Sequence, residues 1–290
     1  MKKFLLDPKR RNILITGASG FIGHHLSNRI EKECNIFSIV SRVQSSGIKN
    51  RIKLDLRKKK QVMAYFREFE KEYKIHTIIH LASRLATANE FEDMSVFYDN
   101  LKITESIVGI AKLLKPDKII NFSSIAVYPN VEGTYSETSI VRTSGNSECL
   151  YGLSKFSSEN IIDFLLRNEN IIISHLRVSQ VYGEDMRSDR IMSTMIKELK
   201  EKNRITVLGD GERVSCFIHI NKLLDMVDCF VKKDIRGVFN LGDEHLSYLG
   251  LAQRLISQYG NAKSKIVKKP KGSRAKFYID LTKFSENRNG

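Results

Sequence analysis

The sequence has no tryptophan, four prolines and four cysteines among 290 residues. So little proline excludes Pro-rich linkers, and the missing tryptophan counts against WD-type repeats; no internal repeat of fixed period is visible. Cys34, Cys149, Cys216 and Cys229 are irregularly spaced and form no Cys-x-x-Cys pair. That pattern supports neither a metal site nor a disulfide framework, and it fits a reducing cytoplasm. No apolar run approaches the ~20 residues of a membrane span. Met1-Lys2-Lys3-Phe4-Leu5-Leu6 opens like a signal peptide, but the run stops at Asp7-Pro8-Lys9-Arg10-Arg11, too early for one. Acidic residues are in the minority, 33 against 48 Lys and Arg, for a formal charge of +15. The basic clusters at 58–60, 115–118 and 263–276 carry no aromatic-interleaved motif and no helix-turn-helix signature. They read as solvated surface, and no nucleic-acid partner is expected. With 41% hydrophobic and 28% charged residues, the chain can bury a full core as one α/β domain with a smaller lobe.

Apolar runs at 12–16, 36–41, 52–56, 77–81, 118–123 and 170–178 predict strands. Helical patterns lie between them, at 22–30, at 58–74, through Asn100, Ile107 and Ala111, and at 151–167. Strands alternating with helices predict right-handed βαβ units and a doubly wound parallel sheet over residues 11–178. Beyond it come an amphipathic helix at 192–202, the turn Gly209-Asp210-Gly211, and short strands at 217–220 and 238–241. One further helix and a basic tail close the chain. Residues 213–242 are expected to return to the sheet domain. Residues 179–212 and 243–290 are expected to form a small substrate lobe at the sheet's carboxyl edge.

The first strand runs into Gly17-Ala18-Ser19-Gly20-Phe21-Ile22-Gly23 and then a helix. Gly17 permits the turn, Gly20 lets backbone N–H groups approach a pyrophosphate, and Gly23 permits close helix packing. A strand, a glycine turn and a helix in that order predict a dinucleotide site. The second strand ends in Val40-Ser41-Arg42, with no carboxylate for a ribose 2′-hydroxyl. Arg42 can pair with a 2′-phosphate, so NADP is favoured over NAD. Tyr151 and Lys155 are four apart and share a helix face. A cation beside a phenol favours the phenolate, so Lys155 is expected to lower the pKa of Tyr151 and make it a general acid/base. Ser124 ends the fifth strand, where it can hold a substrate oxygen, although a serine there can equally cap the next turn.

Together these segments resemble the extended short-chain dehydrogenase/reductase family, in its NAD(P)-dependent nucleotide-sugar epimerase/dehydratase/reductase branch. The resemblance runs nearly end to end and implies a Rossmann-type fold. It assigns Gly17, Gly20, Phe21, Ile22, Gly23, Asp55, Leu56, Leu81, Ala82, Asn100 and Val178 to the cofactor, with Ser41 and Arg42 at the ribose. It makes Ser124, Tyr151 and Lys155 catalytic, with Tyr151 and Lys155 also on the cofactor. Ser124 and Gln180 would meet the substrate, and a homodimer through the helices bearing Asn100 and Tyr151 is implied. The departures matter too. Family dehydratases carry Asp-Glu after the active-site Ser or Thr, but Ile125 and Ala126 stand here, so a 4,6-dehydratase is not expected. The phosphate-gripping arginine is replaced by Ser215. Arg213 would share a face with it on an extended strand, and Arg274 is the expected second clamp. The chain ends soon after Asp280, so the lobe is expected to be abbreviated. No metal is expected.

The resulting expectation is redox chemistry at a sugar carbonyl or hydroxyl, at C4, favoured as NADPH-dependent ketosugar reduction. A nucleotide-sugar epimerase with tightly bound NAD is the alternative. A non-catalytic dinucleotide sensor is the alternative of another class, disfavoured because Ser124, Tyr151 and Lys155 are all retained.

Overall fold

The computed structural model describes residues 4, 6–41 and 50–289. The first half of the chain reads β1 (Asn12–Thr16), α1 (Phe21–Ile30), β2 (Asn35–Val40), β3 (Arg51–Lys53), α2 (Lys59–Phe69), β4 (Thr77–His80), α3 (Met94–Leu114) and β5 (Lys118–Ser124). It continues through β6 (Gly133–Tyr135), α4 (Cys149–Leu166), β7 (Ile172–Val178) and β8 (Gln180–Tyr182). Then follow α5 (Ile191–Lys202), β9 (Arg204–Leu208), β10 (Val214–His219), α6 (Ile220–Lys232) and β11 (Gly237–Leu241). The chain closes with β12 (Glu244–Ser247), α7 (Tyr248–Tyr259), β13 (Lys265–Lys269), β14 (Phe277–Ile279) and α8 (Thr282–Asn289).

Seven strands form one parallel sheet in the order β11-β7-β5-β4-β1-β2-β3. The order reverses between β1 and β4, which opens a crevice at their carboxyl ends. Alternate residues of each strand serve opposite faces. Leu14, Ile78 and Ile119 pack with Val62, Phe66, Ile107 and Ile162 of α2, α3 and α4. Ile13, Ile15, Ile79 and Ile120 pack with Leu26 of α1 and Leu223 and Val227 of α6. Helices on both faces explain why all six residues of β2 are buried.

A second core lies in the lobe, where Met192, Met195 and Leu199 of α5 meet Ile205, Phe217, Leu251 and Leu255. Within 213–242, α6 and β11 rejoin the large sheet, whereas β10 pairs with β8 and β12 in a separate three-stranded sheet. That strand covers Val214–His219, not 217–220, because the His219 imidazole accepts from the Asn221 amide and starts α6 at Ile220. The helix expected to reach residue 74 stops at Phe69, its last inward-facing residue. The end of the chain is not a bare basic tail. Residues 282–289 form α8, anchored by Phe284, which is buried and stacks on Phe230 at 5.5 Å. No described helix is long and apolar enough to cross a membrane.

Candidate active site

The glycine turn links β1 to α1, and Gly20 caps the helix with its backbone. The Gly17 carbonyl accepts from the Gly20 amide at 2.9 Å, and a Cβ on Gly23 would fall 2.2 Å from that same carbonyl. Only glycine at 23 therefore lets α1 close on the turn. Ser19 and Gly20 remain exposed, and the first turn of α1 carries no acidic residue. Open backbone N–H groups at a helix start, free of competing carboxylate, fit a pyrophosphate. Leu81 and Ala82 follow β4 and pack against Gly17 of this loop, while Val178 ends β7 farther along the same carboxyl edge of the sheet, with β5 and β4 between β7 and β1. Ser41 is exposed just past β2, while Arg42 lies outside the described residues. Asp55 accepts from the Arg57 backbone and guanidinium, which holds its carboxyl below the usual range. The Leu56 carbonyl is taken by the Ser106 hydroxyl.

Ser124 and Tyr151 come together because α4 packs tightly on the turn after β5. A Cβ on Gly152 would lie 2.1 Å from the Ala126 carbonyl, so the helix approaches this closely only with glycine there. The Ser124 hydroxyl caps the turn by accepting from the Ala126 amide at 3.1 Å, and it is a neighbour of the Tyr151 phenol that favours its ionised form. The capping reading of Ser124 is what the structure shows. Lys155 is buried one turn along, donates to the Phe122 carbonyl at 2.8 Å, and lies 5.8 Å from the Tyr151 ring centre.

The expected depression of the Tyr151 pKa is not what the structure has. Burial pushes the phenol up to about 12, and Glu148 adds to the rise. Arg190, Ser83 and Ser124 act the other way without offsetting it. Sequence spacing placed a cation on the right face but carried no information on desolvation, which disfavours any buried charge. The same burial takes Lys155 down to about 8, against the pull of Glu159.

Behind the site lies a buried charge pair. Glu159 of α4 accepts from Arg177 Nε at 3.0 Å and Nη2 at 2.7 Å, and from the Ser123 hydroxyl. Arg177 also donates to the Tyr128 hydroxyl at 2.9 Å. Asn100 does not sit open to a ligand: it is 5% exposed, donates to the Arg84 carbonyl and Ser154 hydroxyl, and accepts from the Arg84 amide.

On the substrate side the expected residues separate. Gln180 donates to Ser215 at 3.2 Å across the β8–β10 pair. Arg213 is half-buried, donates to Asn130 at 2.7 Å and lies over the Tyr248 ring. Arg274 is 70% exposed and committed to Asp210 at 2.7 Å, because the 272–276 segment runs along the outside of the Gly209–Gly211 turn. Ser83, Glu148 and Arg190 were missed as neighbours of the phenol; only the position of Ser83, directly after Leu81-Ala82, hinted at its place.

A family model described as "NAD dependent epimerase/dehydratase family" matches residues 13–242. The chain belongs to that family. It is 24% identical over 85% of its length to the dTDP-D-glucose 4,6-dehydratase of Dictyostelium discoideum, and spans 62% of that protein. It is 26% identical to the dTDP-4-dehydro-6-deoxyglucose reductase of Escherichia coli, covering 82% of this chain and 78% of that one. Among solved structures, UDP-glucuronic acid 4-epimerase from Bacillus cereus with UDP-glucuronic acid and NAD superposes with a TM-score of 0.79. It is 25% identical, with 95% of this chain and 92% of that one covered. The family match and the superposition bear out the Rossmann-type fold and the membership of the NAD-dependent epimerase/dehydratase family.

Proposed function

We propose that this protein carries out hydride and proton transfer at C4 of a nucleotide-linked sugar with a nicotinamide dinucleotide. The observation that carries the reading is the meeting of Ser124, Tyr151 and Lys155 beside the open glycine turn. The backbone of Gly17, Gly20, Phe21, Ile22 and Gly23 would hold the pyrophosphate, Ser41 and Arg42 the adenosine ribose, and Lys155 the nicotinamide ribose. The nicotinamide, when bound, supplies or takes the hydride. Tyr151 gives a proton to the sugar oxygen or removes it, Ser124 polarises that oxygen, and Lys155 holds positive charge near the phenol. Ile125 and Ala126 offer neither acid nor base, which argues against a 4,6-elimination. Arg213, poised between Asn130 and Tyr248, is the phosphate-binding residue of this reading; Arg274, tied to Asp210 on the surface, has no part in it.

NADPH-dependent ketosugar reduction is supported by Arg42 and by the absence of an acid after β2. Epimerisation with retained NAD is supported by the NAD in the Bacillus cereus structure. Exposed Met94 and Tyr98 on α3 and Phe164 and Leu165 on α4 suit a homodimer through those helices. Mass spectrometry of co-purifying ligands would identify dinucleotide and sugar. Deuterium-labelled NADPH with a panel of nucleotide 4-ketosugars then separates the readings: a reductase passes the label into product. Absence of any dinucleotide, with no label transfer and no epimerised product, would overturn the proposal.

A further inference from the structure

Four titratable side chains of α4 stand four residues apart, at Tyr151, Lys155, Glu159 and Asp163. That stride keeps them near one face of the helix, the face turned to β5 and β7. The last three each meet a strand in turn. Lys155 Nζ donates to the Phe122 carbonyl at 2.8 Å. One turn on, Glu159 Oε1 accepts from the Ser123 hydroxyl and from Arg177 Nε at 3.0 Å, and Oε2 accepts from Arg177 Nη2 at 2.7 Å. Ser123 of β5 and Arg177 of β7 are partners in the sheet register, so one buried carboxylate holds both strands at a single rung. Asp163 repeats the arrangement from the surface. Its Oδ1 lies 2.9 Å from His175 Nε2, and His175 Nδ1 lies 2.9 Å from the Asn121 side-chain amide. Asn121 and His175 are again register partners.

We propose that Glu159 is a positioning residue for the reacting pair: it locks the end of β5 to α4, so that the Phe122 carbonyl keeps Lys155 one turn from Tyr151. The proposal rests on the reading of Tyr151 and Lys155 as that pair. Ser123 follows Phe122, and the peptide joining them is planar, so a hydroxyl held at Ser123 fixes the unit whose carbonyl faces Lys155. Ser124 comes next on the same strand end, where its hydroxyl accepts from the Ala126 amide. Stability alone is a weak reason for such a pair, because well-packed apolar residues often match or better a buried ion pair. The guanidinium is also held from behind. Arg177 Nη1 donates to the Tyr128 hydroxyl at 2.9 Å and to the Glu137 carbonyl at 3.4 Å, so it cannot turn from Glu159 without breaking those contacts. A hydroxyl-to-carboxylate bond is charge-assisted, and burial keeps water from replacing it.

The test spares the ion pair. Glu159→Gln would unpair the buried Arg177 charge and mix positioning with stability, whereas Ser123→Ala removes only the bond that reaches the strand end. Ser158→Ala is the matched control: it deletes a buried hydroxyl of the same helix that is bonded to Thr104 of α3 at 3.0 Å instead of to the sheet. The protein is isotope-labelled at the lysine ε-carbon, and the Lys155 resonance is identified by its loss in Lys155→Met. Ser123→Ala should shift that resonance, since the ammonium loses a fixed carbonyl acceptor. Its titration midpoint, about 8 in the intact protein, should fall by about half a unit, roughly a threefold change in the ionisation constant. The ionisable groups facing Lys155 are Tyr151 and Glu159 on α4 and His80 on β4, and the substitution changes none of them. With NADPH and a nucleotide 4-ketosugar, kcat should fall about tenfold with the sugar KM unchanged. Ser158→Ala should leave resonance and kcat where they are. A Lys155 resonance unmoved in Ser123→Ala, or moved equally in Ser158→Ala, would overturn the proposal, and so would an unchanged kcat. The resonance needs neither sugar nor dinucleotide, so it decides the positioning separately from failure of the C4 redox reading.

Discussion

His80 ends β4, paired in register with Thr16 of β1, and is 2% exposed. The Thr16 hydroxyl accepts from the Ala82 amide at 3.1 Å and lies 2.7 Å from His80 Nδ1. One hydrogen bond thus ties the buried imidazole to the Thr16 hydroxyl, and burial favours its neutral form. Burial, with a smaller push from Lys155, takes His80 from 6.5 down to about 3. The unfolded chain therefore binds the proton first as pH falls, and stability is lost between pH 6.5 and 3. Integrated to pH 5, this single group costs about 2 kcal/mol, a sizeable part of a typical ~5–15 kcal/mol stability. His80→Asn keeps a hydrogen-bonding group toward the Thr16 hydroxyl and does not titrate. Denaturant unfolding of both proteins at pH 7 and pH 5 should show the wild type losing about 2 kcal/mol more than the variant. Carboxylates paired in both proteins, such as Asp55, cancel from that difference. Parallel losses would refute the neutral, buried imidazole.

Tyr151→Phe should retain dinucleotide affinity in calorimetric titration while turnover falls by ~10²–10⁴-fold. Glu159→Gln leaves the Arg177 charge buried without its partner and should cost about 3–5 kcal/mol, read as a lower Tm; an unchanged Tm would show that the pair contributes little. Gly152→Ala drives a methyl into the Ala126 carbonyl, so it should destabilise by about 1–3 kcal/mol and lower kcat by moving Tyr151 off Ser124, measured by melting and steady-state rates.

What could be read from the sequence was what is local. The strand at 12–16 matches β1 to the residue, because an apolar run is closed by a glycine that turns with φ +72. The Tyr151–Lys155 face was legible because four residues make about one helical turn. Contacts across the sheet edge were not. Nothing in the spacing of Ser83, Glu148 and Arg190 says that all three act on one phenol, since a strand end, a helix start and a lobe loop supply them separately. Arg274 shows the converse. A basic residue near the expected place is turned outward by the path of its segment, and Asp210 takes its charge. The short α8 escaped notice because Phe284 is its sole large apolar residue, too little for a periodic signal yet enough to plug the gap beside Phe230.

The least legible feature is the one with most bearing on the reaction. With Tyr151 held at about 12 and Lys155 at about 8, the ligand-free chain at neutral pH has a protonated phenol beside an ammonium. Such a phenol is ready to donate to a carbonyl oxygen, whereas acting first as a base requires that its proton be lost. At about 1.4 kcal/mol per pH unit, reaching the phenolate at pH 7 from a value near 12 costs about 7 kcal/mol. The neighbouring hydroxyls of Ser83 and Ser124, with Lys155, are the groups already in place to lower that cost once a sugar hydroxyl must be deprotonated. Reduction starts from this resting state and leaves the phenolate from which oxidation starts, so Lys155 and the neighbouring hydroxyls serve both directions. The labelled-NADPH experiment measures whether the site passes its hydride to a 4-ketosugar.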